Sequence, residues 1–82
     1  MNVKIKMPDI GNSEAEIEIK NWRVAPGETI KRGQVLLDVE ADKGVAEVES
    51  FLNGVLTQQC VNVGDITQTG QIIAIVSVDD TQ

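Results

Sequence analysis

Apolar and polar residues alternate along most of this chain, and the alternation has a period of two. Val3, Ile5 and Met7 are separated by Lys4 and Lys6, and Ile17 and Ile19 by Glu18. After a break in phase, Trp22 and Val24 continue the second run. Val35, Leu37 and Val39 alternate with Leu36, Asp38 and Glu40, and a further arm runs from Val45 to Val48. Val55 to Val63 reads as extended, and Ile72 to Val78 forms the last strand. A period of two with β-branched enrichment predicts strands. No stretch shows a 3.6-residue period with caps, so the chain is predicted to be all-β. Pro8 ends or edges the first strand, because proline cannot donate to a ladder. Pro26-Gly27, Asn53-Gly54, Gly64-Asp65 and Gly70 punctuate the rest as turns. Ile30 and Ile66 read as short apolar contacts between them.

The chain contains a repeat. Gly27-Glu28-Thr29-Ile30-Lys31-Arg32-Gly33-Gln34-Val35-Leu36 aligns with Gly64-Asp65-Ile66-Thr67-Gln68-Thr69-Gly70-Gln71-Ile72-Ile73 at an offset of 37. Two glycines, one acid and one glutamine coincide, which predicts two similar halves burying their apolar faces on each other. The same offset carries Lys43 to Asp80, beyond the last apolar strand residue. The Lys43 segment is therefore expected at one end of the molecule and the termini at the other.

That segment organises the chain. Ala41-Asp42-Lys43-Gly44 joins two strand arms with turn chemistry. Asp favours turn starts, and Gly tolerates the positive φ of a turn's exit. Lys43 should stand at the tip of a hairpin, away from the core and among carboxylates. A hairpin tip offers no desolvated pocket to lower a lysine pKa, so Lys43 is not expected to be a nucleophile. It is well placed for covalent attachment of a long arm, swung from a rigid base.

Composition narrows the function. The chain has 82 residues, a formal net charge of −6, no histidine and one cysteine. A chain of this length makes one domain with a thin core, burying about 60% of its unfolded surface, which disfavours a deep catalytic cleft. Without histidine there is no His-based triad, and no clustered metal-ligand set exists. The acidic balance disfavours nucleic acid and anionic membrane as partners. Cys60 is expected to be a buried, inert thiol in a strand. The N-terminal alternation has neither a signal-peptide h-region nor a membrane-length apolar run.

From about Val3 to Val78 the sequence resembles the lipoyl domain of 2-oxo acid dehydrogenase complexes. The resemblance rests on Met7-Pro8-Asp9-Ile10-Gly11, on Trp22 and Val24 before Gly27-Glu28-Thr29-Ile30, and on Val39-Glu40-Ala41-Asp42-Lys43. Val48-Glu49-Ser50, Gly54-Val55 and Val63-Gly64-Asp65 extend it. Gly44 departs from the Ala or Val more usual after the lysine. A biotin carrier shares the fold but flanks its lysine with methionines, where this chain has Asp42 and Gly44.

The resemblance implies a flattened β-barrel or sandwich of two four-stranded antiparallel sheets with quasi-twofold symmetry. It implies lipoate in amide linkage to Lys43, with Asp42, Gly44, Glu40 and Glu47 presenting the lysine to the modifying enzyme. It also implies that Ile10, Gly11, Asn12, Ser13 and Glu14 form a loop read by the partner decarboxylase. The domain would span residues 1–79, with 80–82 a polar tail opening a linker. It would be a monomeric carrier without catalytic activity of its own, part of a dihydrolipoamide acyltransferase subunit. It would move acyl groups and reducing equivalents, in a pyruvate complex first of all. Its partners would be a thiamine-diphosphate-dependent decarboxylase, an acyltransferase catalytic domain, dihydrolipoyl dehydrogenase and a lipoate-attaching enzyme. The expected setting is the bacterial cytoplasm or the mitochondrial matrix. The other reading is an unmodified β-barrel interaction module with Lys43 a plain surface charge.

Overall fold

The computed structural model describes residues 1–10 and 16–78. It contains eight strands: β1 (Asn2–Lys6), β2 (Ile17–Trp22), β3 (Thr29–Ile30), β4 (Val35–Ala41), β5 (Gly44–Glu49), β6 (Gly54–Gln59), β7 (Ile66–Thr67) and β8 (Ile72–Ser77). They form two antiparallel four-stranded sheets, in the orders β1-β8-β6-β3 and β5-β4-β2-β7. Ile5, Met7, Ile17, Ile19, Leu37, Val39, Leu56, Ile73 and Val76 fill the space between the sheets. All but Ile73 are the inward positions of a period-two pattern.

The repeat appears as a quasi-twofold relation in the backbone itself. The acid and the glutamine of each copy do the same task twice. Glu28 Oε1 accepts from the Ala25 N–H at 2.9 Å, and Asp65 Oδ2 from the Asn62 N–H at 2.8 Å. Gln34 Oε1 accepts from the Lys31 N–H at 3.0 Å, and Gln71 Oε1 from the Gln68 N–H at 3.2 Å. The Gly27 N–H donates to the Leu56 carbonyl, and the Gly64 N–H to the Ile19 carbonyl. Gly27 and Gly64 share a φ of 95°, and Gly33 and Gly70 a φ of 87°.

Bulges repeat as well. Leu36 is the extra residue of β4 against β5, and Ile73 that of β8 against β1. Lys20 and Thr57 are the corresponding extra residues of β2 and β6. A bulge shifts the phase of alternation by one residue. Leu36 and Leu37 are therefore both buried, although strict alternation would turn Leu36 outward. The Lys20 bulge likewise accounts for the phase break between Ile19 and Trp22.

Several local expectations are corrected. β6 stops at Gln59, so the extended run does not continue to Val63. Cys60 lies just beyond it and is half-buried, its N–H donating to the Ile73 carbonyl. Ile66 is 55% exposed, and the inward residue of β7 is Thr67. Thr67 takes the place that Ile30 fills in the other half, and its hydroxyl donates to the Ile17 carbonyl at 2.8 Å. Gly54 opens β6 rather than shaping a turn. A Cβ there would sit 2.5 Å from the Ser77 carbonyl oxygen and 2.7 Å from Val76 Cγ1. It is glycine because two strands pass too close for a side chain.

The symmetry has two breaks. β1 corresponds to β5 at an offset of 43 rather than 37, as the matching bonds of Met7 with Gln71 and of Ser50 with Gln34 indicate. The link between β1 and β2 thus carries six more residues than its counterpart after Ser50. Gly11, Asn12, Ser13 and Glu14 of that link lie outside the described residues, as do 79–82, whereas Ile10 is half-buried against the core. The second break is the hairpin. Where β4 and β5 are joined through Asp42 and Lys43, the other half has Met1 and Val78, the Val78 N–H donating to the Met1 carbonyl at 2.7 Å.

Candidate functional site: the Lys43 hairpin

β4 and β5 pair in register down to Ala41 opposite Gly44, leaving Asp42 and Lys43 as a two-residue turn. Gly44 has a φ of 124°, a conformation strained for any residue with a Cβ, and nothing lies within 4 Å of where one would point. The glycine after the lysine is thus what this turn requires, and the space beside it is open. Lys43 and Asp42 are exposed, and Ala41 beneath them is buried. The lysine therefore stands on a strand pair whose inner face is locked into the core through Val39 and Val48.

Two like-charged pairs face each other across the outer surface of this sheet. Asp38 is opposite Glu47, and Glu18 is opposite Glu40. Facing carboxylates repel, and a cation bridges each pair. Arg23 Nε and Nη2 donate to the two oxygens of Asp38 at 2.8 and 3.0 Å, and Nη2 lies 3.5 Å from Glu47. Lys20 Nζ lies 3.7 Å from Glu18 and 3.6 Å from Glu40. The hydrogen bond from Arg23 holds the Asp38 carboxyl below its ordinary range, partial burial opposes this, and Asn21 adds to the lowering. Asp38 in turn raises Arg23.

Of the residues expected to present the lysine, Asp42 and Gly44 frame it directly. Glu40 and Glu47 lie farther down the outer face, engaged by Lys20 and Arg23. The ion pairs among the described residues leave Lys43 out. Lys20, Arg23 and Asp38 were not singled out by the sequence reading. The Lys20 bulge hides their alignment, since alternation alone does not show that Asn21 sits opposite Asp38. Among the described residues no group of His, Cys, Asp or Glu is placed to hold a metal ion.

The family model described as "Biotin-requiring enzyme" (Biotin_lipoyl) matches residues 3–76. The chain belongs to the biotin/lipoyl domain family. Two of its relatives are dihydrolipoyllysine-residue acyltransferase components. It is 35% identical, over 96% of its length, to the dihydrolipoyllysine-residue succinyltransferase component of the 2-oxoglutarate dehydrogenase complex of Cupriavidus necator. It is 33% identical, over its whole length, to the dihydrolipoyllysine-residue acetyltransferase component of the pyruvate dehydrogenase complex of Staphylococcus aureus. The chain spans 19% of the length of each of these relatives. The solution structure of the lipoyl domain of the 2-oxoglutarate dehydrogenase complex of Azotobacter vinelandii matches with a TM-score of 0.74 and 32% identity, covering 93% of this chain and 96% of that one. The matched region includes the exposed two-residue turn at Lys43, with open space beside Gly44.

Proposed function

We propose that this domain is a lipoyl carrier whose attachment point is Lys43, and that it forms part of the acyltransferase subunit of a 2-oxo acid dehydrogenase complex. The observation that carries the reading is the exposed lysine on a two-residue turn, in a chain of this family. Lipoate in amide linkage there would supply a dithiolane disulfide able to take up an acyl group and two electrons. Amide formation removes the charge of Lys43, so the formal net charge falls by one from −6.

The chain's own contribution is mechanical. The paired strands fix the base of the arm, and the exposed turn leaves it free to enter several active sites. Tethering keeps the arm's effective concentration at each site high. Asp42 and Gly44 set how the amine meets the lipoate-attaching enzyme, with Glu40 and Glu47 as more distant contributors. Ile10 and the residues Gly11, Asn12, Ser13 and Glu14 are the segment offered to the decarboxylase. The remaining partners are the acyltransferase catalytic domain and dihydrolipoyl dehydrogenase, in the bacterial cytoplasm or mitochondrial matrix.

Pyruvate is the substrate we place first. 2-Oxoglutarate is the second reading, favoured by the Cupriavidus and Azotobacter likenesses. The test is to offer the lipoylated domain to the decarboxylase of each complex with its own 2-oxo acid. The expected result is one acyl group added per domain, with one enzyme acting at least tenfold faster. Acylation by neither, where a lipoyl domain of known complex is acylated, would overturn the carrier reading.

A further inference from the structure

Val45 points outward from β5, two residues past Lys43, and is 69% exposed. A single exposed valine is ordinary on a protein surface, but its setting here is not. The outward-facing row nearest the turn reads Ile66, Glu18, Glu40, Val45 across β7, β2, β4 and β5. The corresponding row of the other half reads Thr29, Val55, Ser77, Asn2. The two rims of the row are apolar only in the half that bears the lysine. Val45 also walls a shallow depression of about 580 Å³, shared with Lys20, Arg23, Asp38 and Glu47. The charges around it are paired with one another, so its rim calls for no counter-ion.

We infer that Val45 is the resting contact of the arm carried on Lys43, an inference that rests on the lipoyl reading above. An extended lipoyl-lysine places its ring about 14 Å from the Cα, at roughly 1.25 Å per bond along the chain. A strand advances about 3.3 Å per residue, which sets Val45 about 7 Å from Lys43 along β5 and Glu47 about 13 Å. Ile66 lies two strands beyond β4, about 10 Å across the sheet and about 7 Å along it, near the limit of the extended arm. Val45 is thus the exposed apolar side chain of this face that the ring reaches with the arm bent back. The dithiolane and its alkyl chain are apolar, and their sulfurs are polarisable in the manner of methionine. Tethering raises the effective concentration of the ring beside Val45, so a weak contact is populated more than it would be by a free ligand. The open flank of Gly44 leaves the way from the turn unobstructed. A partner site competes with this contact when it takes up the ring.

The test is NMR on the whole domain, unmodified and lipoylated, with the mass of each sample recorded. The expected result is an Overhauser effect between arm protons and the Val45 methyls, with amide shifts extending from the turn to Val45 and Glu47. Replacing Val45 by Asn, the residue of the other half (Val45→Asn), should shrink the shift at Glu47 several-fold. A sample lipoylated on Lys43 whose shifts stop at Asp42–Gly44, with no effect at Val45, would overturn the inference and leave the carrier reading intact. A sample that takes no lipoyl group would overturn both, and the mass distinguishes the two cases.

Discussion

In the half of the molecule built on β2, β4, β5 and β7, Arg23 is held between Asp38 and Glu47. At the corresponding places of the other half stand Cys60, Ile75 and Lys4. The outer face of the first sheet bears Glu18, Asp38, Glu40, Glu47 and Glu49 with two cations, and that of the second bears Lys4, Lys6, Val55, Thr57 and Ser77. Backbone bonds, bulges and glycine angles repeat between these halves, and the outward side chains do not. The turn residues and the burial of the inward positions are therefore common to both halves, even where the residue differs, as Thr67 does from Ile30. The outward residues were free to differ, and the difference collects on the face beside Lys43.

The largest effect expected from breaking the symmetry lies in the core. Leu36 and Ile73 are twin bulge residues with no exposed surface. Truncating either to Ala should lower stability by about 2–5 kcal/mol in chemical denaturation. Values differing by more than the scatter of such series would show that the halves do not share the load. Gly54 comes next, because its twin position holds Ile17 and only Gly54 lacks room for a Cβ. Gly54→Ala should destabilise by about 1–3 kcal/mol through overpacking, measurable as a lower denaturation midpoint. An unchanged midpoint would mean that the strand ends yield at no penalty.

A smaller effect is expected at Thr67, the polar twin of buried Ile30. Thr67→Val removes the hydroxyl bonded to the Ile17 carbonyl while keeping the side-chain shape. A loss of about 1 kcal/mol is expected from the missing hydrogen bond. A gain would show that the site prefers the apolar residue its twin already has.

The smallest effect concerns Asp38, and it depends on pH. The folded carboxyl titrates below its ordinary range because Arg23 donates to it. Its contribution is present above the unfolded value, about pH 3.9, and is lost as pH falls through the lower folded value. Thermal unfolding of the wild type and of Asp38→Asn should differ at neutral pH and converge toward pH 2. A gap that stays constant would show that the Arg23 bond does not depend on the charge of Asp38.

Much of this was legible in the chain because period-two burial and the 37-residue repeat are written in residue types. Lys43 could be placed at a hairpin tip because Asp42 and Gly44 are turn residues between two alternating arms. The bulges are not legible, since one extra residue changes register without changing composition, and strict alternation therefore puts Leu36 on the wrong face. Ile66 was misplaced for a related reason. The aligned repeat sets Thr67, not Ile66, on Ile30, yet hydropathy favours the isoleucine. Gly54 reads as a turn glycine because its crowding comes from Ser77 and Val76, distant in sequence. The Arg23 bridge was hidden because it joins three segments through a bulged register.

Lys43 is the lysine we propose for modification, because it stands exposed at a two-residue turn. Lys4, Lys6, Lys20 and Lys31 share its exposure, but they lie on strands or in a strand-flanking link rather than at a two-residue turn. The most direct test is peptide mapping of the domain after incubation with lipoate, ATP and a lipoate-attaching enzyme, beside Lys43→Ala. The account predicts one lipoyl group, on the peptide containing Lys43, and none on the variant. A lipoyl group on another lysine, or an unmodified chain where a lipoyl domain of known function is modified, would contradict it.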